Sequence, residues 1–258
     1  MDNKMVFFDI DGTLLDHDKK LPEATKRAIQ MLKKQGTKVA IATGRAPFMF
    51  ADLREELGIT TYVSFNGQYV VYEGEVIYKN PLNKNTLHHL TGFAEENNHP
   101  LVFMDENRMK ASIEDHPFVQ KSIGSLKINL PEVDPHYYKD NDVLQALLFC
   151  EEDVEHFFHQ QYKDFQFIRW HEMSTDILPL GGSKAEGIKK MLEILRIPRE
   201  HVYAFGDALN DKEMLEFVGT GVAMGNAVDE IKNIADIVTK PVDQEGIKYG
   251  LELVGLLK

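Results

Sequence analysis

Residues 5–13 read MVFFDIDGT, and the reading of this stretch decides the fold. Val6 to Ile10 is a short apolar run of strand-forming residues closed by the turn signal Asp11-Gly12, which predicts a buried strand. Working outward, a helix is expected over Glu23 to Gln35, where Ala28, Ile29 and Leu32 share a face, Pro22 stands near the start and Gly36 lies just past the end. Lys38 to Ala42 is a second apolar run, closed by Thr43-Gly44. A helix from near Phe48 to Leu57 leads through Gly58 to a third run, Tyr62 to Phe65, which ends in Asn66-Gly67. Strand and helix alternating at this pace predict an α/β fold, a right-handed parallel sheet with helices on both faces.

After Gly67 the rhythm changes. Gln68 to Tyr72 and Glu75 to Lys79 flank Glu73-Gly74 and read as a hairpin. Mixed elements follow: a helix around Thr86 to Asn97, strands near Leu101 to Met104, Met109 to Ser112 and Val143 to Cys150, a helix at Val154 to Tyr162, and strands at Gln166 to His171 and Thr175 to Leu178. Residues 123–142, with Pro131 and Pro135, carry no clear signal. The first rhythm returns at Ser183, a fitting N-cap for a helix over Lys184 to Leu195, followed by the run Val202 to Phe205, a helix at Asp211 to Val218, a strand at Gly221 to Met224 and helices at Ala227 to Ala235 and Glu245 to Leu257. The expected organisation is a core formed by residues 1–81 and 183–258 around an inserted α+β domain at 82–182.

Composition narrows the function. With 41 acidic and 29 basic residues the formal charge is -12, which repels nucleic acid and anionic membranes. The brief Lys-Lys pairs sit beside acids and form no basic patch. No apolar run approaches the ~20 residues that span a bilayer, and Asp9 and Asp11 interrupt the only apolar stretch near the N-terminus, so a cytoplasmic protein, monomeric or weakly dimeric, is expected. The single cysteine, Cys150, ends an apolar run and reads as a strand residue. The histidines lack cysteine partners at zinc-ligand spacing, and Trp170 reads as core.

The chemistry gathers at expected strand ends, where open parallel sheets bind ligands. Asp9 and Asp11, two apart, present both carboxylates to one side of an extended chain. Crowding two acids is costly unless one is a nucleophile, the other moves a proton, and a divalent ion keeps the first ionised. Thr43-Gly44-Arg45 stands before a helix, where a hydroxyl and backbone N–H groups can hold phosphate oxygens. Lys184 opens a helix, where its charge opposes the dipole, and so seeks an anion. Gly206-Asp207-Ala208-Leu209-Asn210-Asp211 supplies two more carboxylates and an amide, oxygen donors that suit Mg²⁺. Asp9, Asp207, Asp211 and a phosphate dianion together bring five negative charges, so a phosphate substrate requires Mg²⁺ beside Lys184.

DIDGTLL at 9–15, ATGR at 42–45, Lys184 and GDALND at 206–211 follow the order and approximate spacing of the haloacid dehalogenase-like phosphatases, and the long insert resembles the Cof-type subgroup with a type IIB (C2B-type) cap. The resemblance spans nearly the whole chain. It implies a Rossmann-like core and hydrolysis of a small phosphorylated metabolite (a sugar phosphate, nucleotide or cofactor phosphate) through an aspartyl phosphate on Asp9. It further implies Asp11 as general acid/base and as a metal ligand through its carbonyl, Asp9 and Asp207 as direct Mg²⁺ ligands and Asp211 behind them. Thr43, Gly44, Lys184, Asn210 and the backbone N–H of Ile10 would hold the phosphoryl group. Ala185 departs from the subgroup, which often has Gly after the lysine. In the insert, Arg169 and His171 are candidates for substrate selection. Transfer of the phosphoryl group to a sugar hydroxyl, as in a mutase, would use the same residues; a silent metabolite-binding module would have no use for the proton donor Asp11.

Overall fold

The computed structural model describes residues 4–126 and 128–258; the first residues of the expected core, 1–3, lie outside them. The chain divides into two compact units, one taking the chain up to Arg45 together with Ala51–Tyr78 and Ser183–Lys258, the other taking Ala46–Phe50 and Lys79–Gly182. In chain order the strands are β1 (Met5–Phe8), β2 (Lys38–Ala42), β3 (Tyr62–Ser64), β4 (Tyr69–Tyr72), β5 (Glu75–Lys79), β6 (Leu101–Met104), β7 (Met109–Ala111), β8 (Glu132–Val133), β9 (Gln145–Leu148), β10 (Phe165–His171), β11 (Ser174–Pro179), β12 (Val202–Gly206), β13 (Thr220–Ala223) and β14 (Ile237–Val238).

The first unit is built on a sheet ordered β14-β13-β12-β1-β2-β3-β4-β5. Pairing is parallel from β14 through β3 and turns antiparallel between β3 and β4. The reversal therefore comes at the tight turn Phe65–Gly67, before the expected hairpin at Glu73-Gly74. Alternation along the strands sends Met5, Phe7, Ala40, Ala42, Val202 and Ala204 to one face, where they pack on Ile188, Met191 and Leu192 of the helix Lys184–Leu195. Phe8 and Phe205 stack on the opposite face with ring centroids 5.1 Å apart. The helix Gly246–Leu253 covers them so closely that a Cβ on Gly250 would lie 2.6 Å from the Phe205 ring. Helices on both faces of a central parallel sheet are thus observed.

The second unit has its own sheet, ordered β10-β11-β9-β6-β7-β8, and its own apolar core around Phe103, Leu148, Phe158 and Ile177. Residues 123–142 contain the end of a helix at Pro117–Ser125, the short β8 and one helical turn, Tyr137–Asp140. The helix Pro117–Ser125 escaped the sequence reading because its N-cap is His116, whose Nδ1 accepts from the Phe118 N–H at 3.2 Å, and not one of the usual capping residues. The expected helix at Phe48 to Leu57 is a tight turn, Pro47–Phe50, followed by a helix at Ala51–Leu57. Among the described residues no helix is long and apolar enough to cross a membrane.

Candidate active site

In the sheet register Phe8 lies opposite Ile41 and Phe205, so β1, β2 and β12 end side by side and release Asp9, Thr43 and Asp207 at one edge. The Asp9 N–H still bonds the Phe205 carbonyl at 3.0 Å, which fixes the direction in which its side chain leaves the strand. That side chain follows Met5 and Phe7 to the face covered by the helix Lys184–Leu195, whose N-cap Ser183 accepts from the Glu186 N–H at 3.3 Å. Lys184 Nζ donates to Asp9 Oδ1 at 2.5 Å and to Asp211 Oδ1 at 2.6 Å, with all three side chains buried. The other Asp211 oxygen accepts from the N–H groups of Asp207 (2.9 Å) and Ala208 (3.0 Å), so this acid shapes the turn that carries Asp207. Thr13 Oγ1 donates to Asp207 Oδ1 at 2.8 Å. Gly12, at φ +82°, leaves room for Asp207, because a Cβ there would lie 2.3 Å from Asp207 Oδ2.

The electrostatics follow from burial. Two carboxylates, Asp9 and Asp211, flank one ammonium and a third, Asp207, lies beside them, a formal excess of two negative charges in a largely buried site. Burial raises Asp9 to about 7 even against the pull of Lys184, and burial followed by the charge of Asp211 raises Asp207 to about 6 despite the hydrogen bond from Thr13. Burial alone would lower Lys184, but the charges of Asp211 and Asp9 outweigh it and hold the ammonium protonated. One oxygen each from Asp9, Asp207 and Asp211 lies within 4.8 Å of the others. Hard oxygen donors with uncompensated negative charge form a set that could hold a metal ion, and they fit a small divalent cation.

Asp11 stands apart from this cluster. Burial would raise its carboxyl, but Arg45 Nε and a terminal guanidinium nitrogen grip it at 2.8 and 2.6 Å and Lys19 Nζ at 2.5 Å, and the outcome lies below the usual carboxylate value. Thr43 is buried, with its hydroxyl accepting from the Arg45 N–H at 3.1 Å, and Gly44 follows it. Ile10 accepts through its carbonyl from the N–H groups of Leu14 and Leu15. Asn210 is exposed on the turn Leu209–Asp211. Within the second unit, Arg169 bonds Glu155 at 2.7 Å and the carbonyls of Cys150, His171 and Glu172, while His171 Nδ1 meets Ser122 Oγ at 3.0 Å and the Met173 N–H at 3.1 Å. These partners tie both side chains into the unit's own framework.

The structure adds residues that the sequence reading passed over. Thr13 belongs to the quoted DIDGT stretch and Arg45 to Thr43-Gly44-Arg45, so both were in view without a role. Asn226 donates to the Gly12 carbonyl at 2.8 Å and accepts from the Val242 N–H at 2.9 Å, bracing the loop after β1. Its one signal in the sequence is an Asn after Gly225 just past an apolar strand.

Known proteins resemble this chain over nearly its whole length. The family model for haloacid dehalogenase-like hydrolases matches residues 6–251. "Putative phosphatase YkrA" of Bacillus subtilis (strain 168) is 54% identical over 258 residues, covering 100% of both chains. The 5-amino-6-(5-phospho-D-ribitylamino)uracil phosphatase YitU of the same organism is 32% identical, covering 94% of each. Among solved structures, a hypothetical protein from Geobacillus kaustophilus HTA426 superposes with a TM-score of 0.96 at 59% identity, over 98% of this chain and 99% of that one. The HAD subclass IIB sugar phosphatase BT4131 does so with a TM-score of 0.84 at 30% identity, over 98% and 100%. The chain belongs to the haloacid dehalogenase-like hydrolases, as a phosphatase of the Cof type with a subclass IIB cap.

Proposed function

We propose that the protein hydrolyses the phosphate monoester of a small metabolite in two steps through an aspartyl phosphate on Asp9, with Mg²⁺ as cofactor. One observation carries the reading: Asp9 leaves the end of a parallel strand buried, gripped by Lys184, and within reach of Asp207 and Asp211. Asp9 and Asp207, with the Asp11 carbonyl, would hold Mg²⁺, which keeps Asp9 ionised and neutralises charge on the phosphoryl oxygens. Asp211, with one oxygen on Lys184 and the other on two N–H groups, supports the turn from behind. Thr43, Gly44, the Ile10 N–H, Lys184 and Asn210 would hold the phosphoryl oxygens. The compact units at Lys79–Gly182 and around β1 then act as cap and catalytic core.

An Asp9 oxygen attacks phosphorus in line, the ester P–O bond breaks, and the leaving alkoxide takes a proton from Asp11. Asp11, now a carboxylate, removes a proton from water, whose oxygen displaces Asp9 from phosphorus and frees inorganic phosphate. In the arrangement observed, Arg45 and Lys19 favour the carboxylate form of Asp11, the form the second step needs. Protonation for the first step follows when an arriving phosphate dianion adds negative charge beside Asp11 and draws the cations away. Two relatives with named substrates, a ribitylaminouracil phosphatase and a sugar phosphatase, act on small phosphate monoesters, which supports that substrate class here.

The test is phosphate release from a panel of phosphorylated metabolites with Mg²⁺ and with chelator. Chelation should abolish turnover, and Asp9→Asn should lower it by more than ~10³-fold, the usual cost of removing a nucleophile. Steady-state hydrolysis by purified Asp9→Asn at the wild-type rate would defeat the assignment.

A further inference from the structure

The turn Phe65–Gly67 takes no part in the chemistry above, yet its backbone is unusual. Phe65, Asn66 and Gly67 have φ of +50°, +49° and +96°, three successive residues in the left-handed region. That conformation costs a residue with a Cβ about 1–2 kcal/mol, least for Asn, so surrounding contacts must hold it. Those contacts are to the elements assigned to phosphate binding. The Phe65 N–H donates to the Arg45 carbonyl at 3.3 Å and the Asn66 N–H to the Thr43 carbonyl at 3.2 Å. Asn66 is 7% exposed, and its carboxamide lies against Gly44, where a Cβ would stand 3.1 Å from both Nδ2 and Oδ1. On the other side, a Cβ on Gly67 would lie 2.0 Å from the Ser183 carbonyl oxygen, and one on Gly187 would lie 2.7 Å from the Gly67 Cα. Two glycines thus let the helix that begins at Lys184 rest directly on the turn.

We propose that Asn66 is a positioning residue for phosphate binding: the left-handed turn it occupies fixes Thr43-Gly44 relative to Lys184, so that both reach the same phosphoryl group. The inference rests on the phosphate roles of Thr43, Gly44 and Lys184 given above. The buried Oδ1 of Asn66 has no hydrogen-bond partner, so what the position asks of its residue is tolerance of a left-handed backbone. Any residue that drives position 66 out of that conformation breaks the Thr43 and Arg45 contacts together.

The experiment compares Asn66→Val with Asn66→Gly, reading the inhibition constant for inorganic phosphate alongside kcat and KM in the presence of Mg²⁺. Valine, β-branched and averse to the left-handed region, should raise the inhibition constant by about tenfold or more, the equivalent of a 1–2 kcal/mol conformational cost. Glycine restores the backbone while deleting the carboxamide and should recover phosphate affinity to within about threefold of wild type. Wild-type affinity in Asn66→Val would overturn the proposal, as would a glycine variant as weak as the valine one, which would make the carboxamide itself a substrate contact. Where the valine variant fails to fold, Asn66→Ala supplies the same comparison with a smaller loss, and equal affinity in the alanine, glycine and wild-type proteins would be decisive against it. Turnover in wild type with unaltered phosphate affinity in Asn66→Val would remove only Asn66, whereas wild-type protein that neither binds phosphate nor releases it would defeat the phosphatase reading as well.

Discussion

Arg45 grips Asp11 through two parallel hydrogen bonds, a geometry that favours the ionised carboxyl. Lys19 adds a second cation from an exposed loop position at φ +63°. Burial works in the opposite direction on Asp11 but is outweighed. Replacing Arg45 by Met leaves burial in place and removes the larger opposing partner, so the Asp11 carboxyl must titrate at higher pH. If Asp11 is the base of the second step, the acid limb of the kcat profile should move to higher pH in Arg45→Met. Asp11→Asn should lose the limb along with most of the activity. A pH profile of Arg45→Met that superposes on wild type would show that the limb belongs to another group, with Asp9 and Asp207 the first suspects because burial raises both.

Among the strands, β11 carries an unusual residue. Asp176 lies opposite Leu147 of β9 and Ile168 of β10, and burial raises it to about 7 against a hydrogen bond from Gln145. An acid whose folded value exceeds its unfolded one binds more protons when folded, so stability falls as pH rises from about 4 to about 7 and the loss is complete above that. Asp176→Asn should therefore raise the melting temperature of the second unit at pH 8, by an amount worth about 1–3 kcal/mol after allowance for partial exposure, and do little at pH 4. Thermal melts at the two values check this; an equal gain at both would assign it to packing. The same strands show what a sequence reveals. The run Val6 to Ile10 and the runs ending at Thr43 and Gly206 were legible because apolar strands that stop at Asp or Gly leave a local mark, and Ser183 announced its helix by the capping it performs. Other features have no local mark: the left-handed turn begins at Phe65, a residue that rarely adopts that conformation, and β14 is only two residues long. The grip of Lys19 and Arg45 on Asp11 exists only once the loop after β1 folds back on itself and meets Arg45, 34 residues along the chain.

At the scale of the whole molecule, each unit maintains its own apolar packing among the described residues, the first around Phe7, Ala204 and Ile188 and the second around Phe103, Leu148 and Phe158. The acid cluster belongs to the first. Asp9 and Asp207, raised to about 7 and about 6, cost the first unit stability as pH climbs from the unfolded carboxylate value near 4 through that range, because the folded protein must give up protons that it holds more tightly. The Mg²⁺ proposed above would bind the carboxylate forms and not the acids, so it would compete with protons and its effect would grow in the same direction. At a Mg²⁺ concentration about 100 times its dissociation constant, the linkage is worth about 2.7 kcal/mol to the unit that holds it. Calorimetry at pH 8 should therefore show an upward shift of one transition by several degrees on adding Mg²⁺, reversed by chelator, and a much smaller shift at pH 5.5. Asp9→Asn, which removes one proposed ligand and its buried charge, should melt higher than wild type without metal at pH 8 and respond less to Mg²⁺. If wild type gained as much from Mg²⁺ at pH 5.5 as at pH 8, the ion would be bound by groups already ionised at the lower pH, and the carboxylates of Asp9 and Asp207 would not be its site.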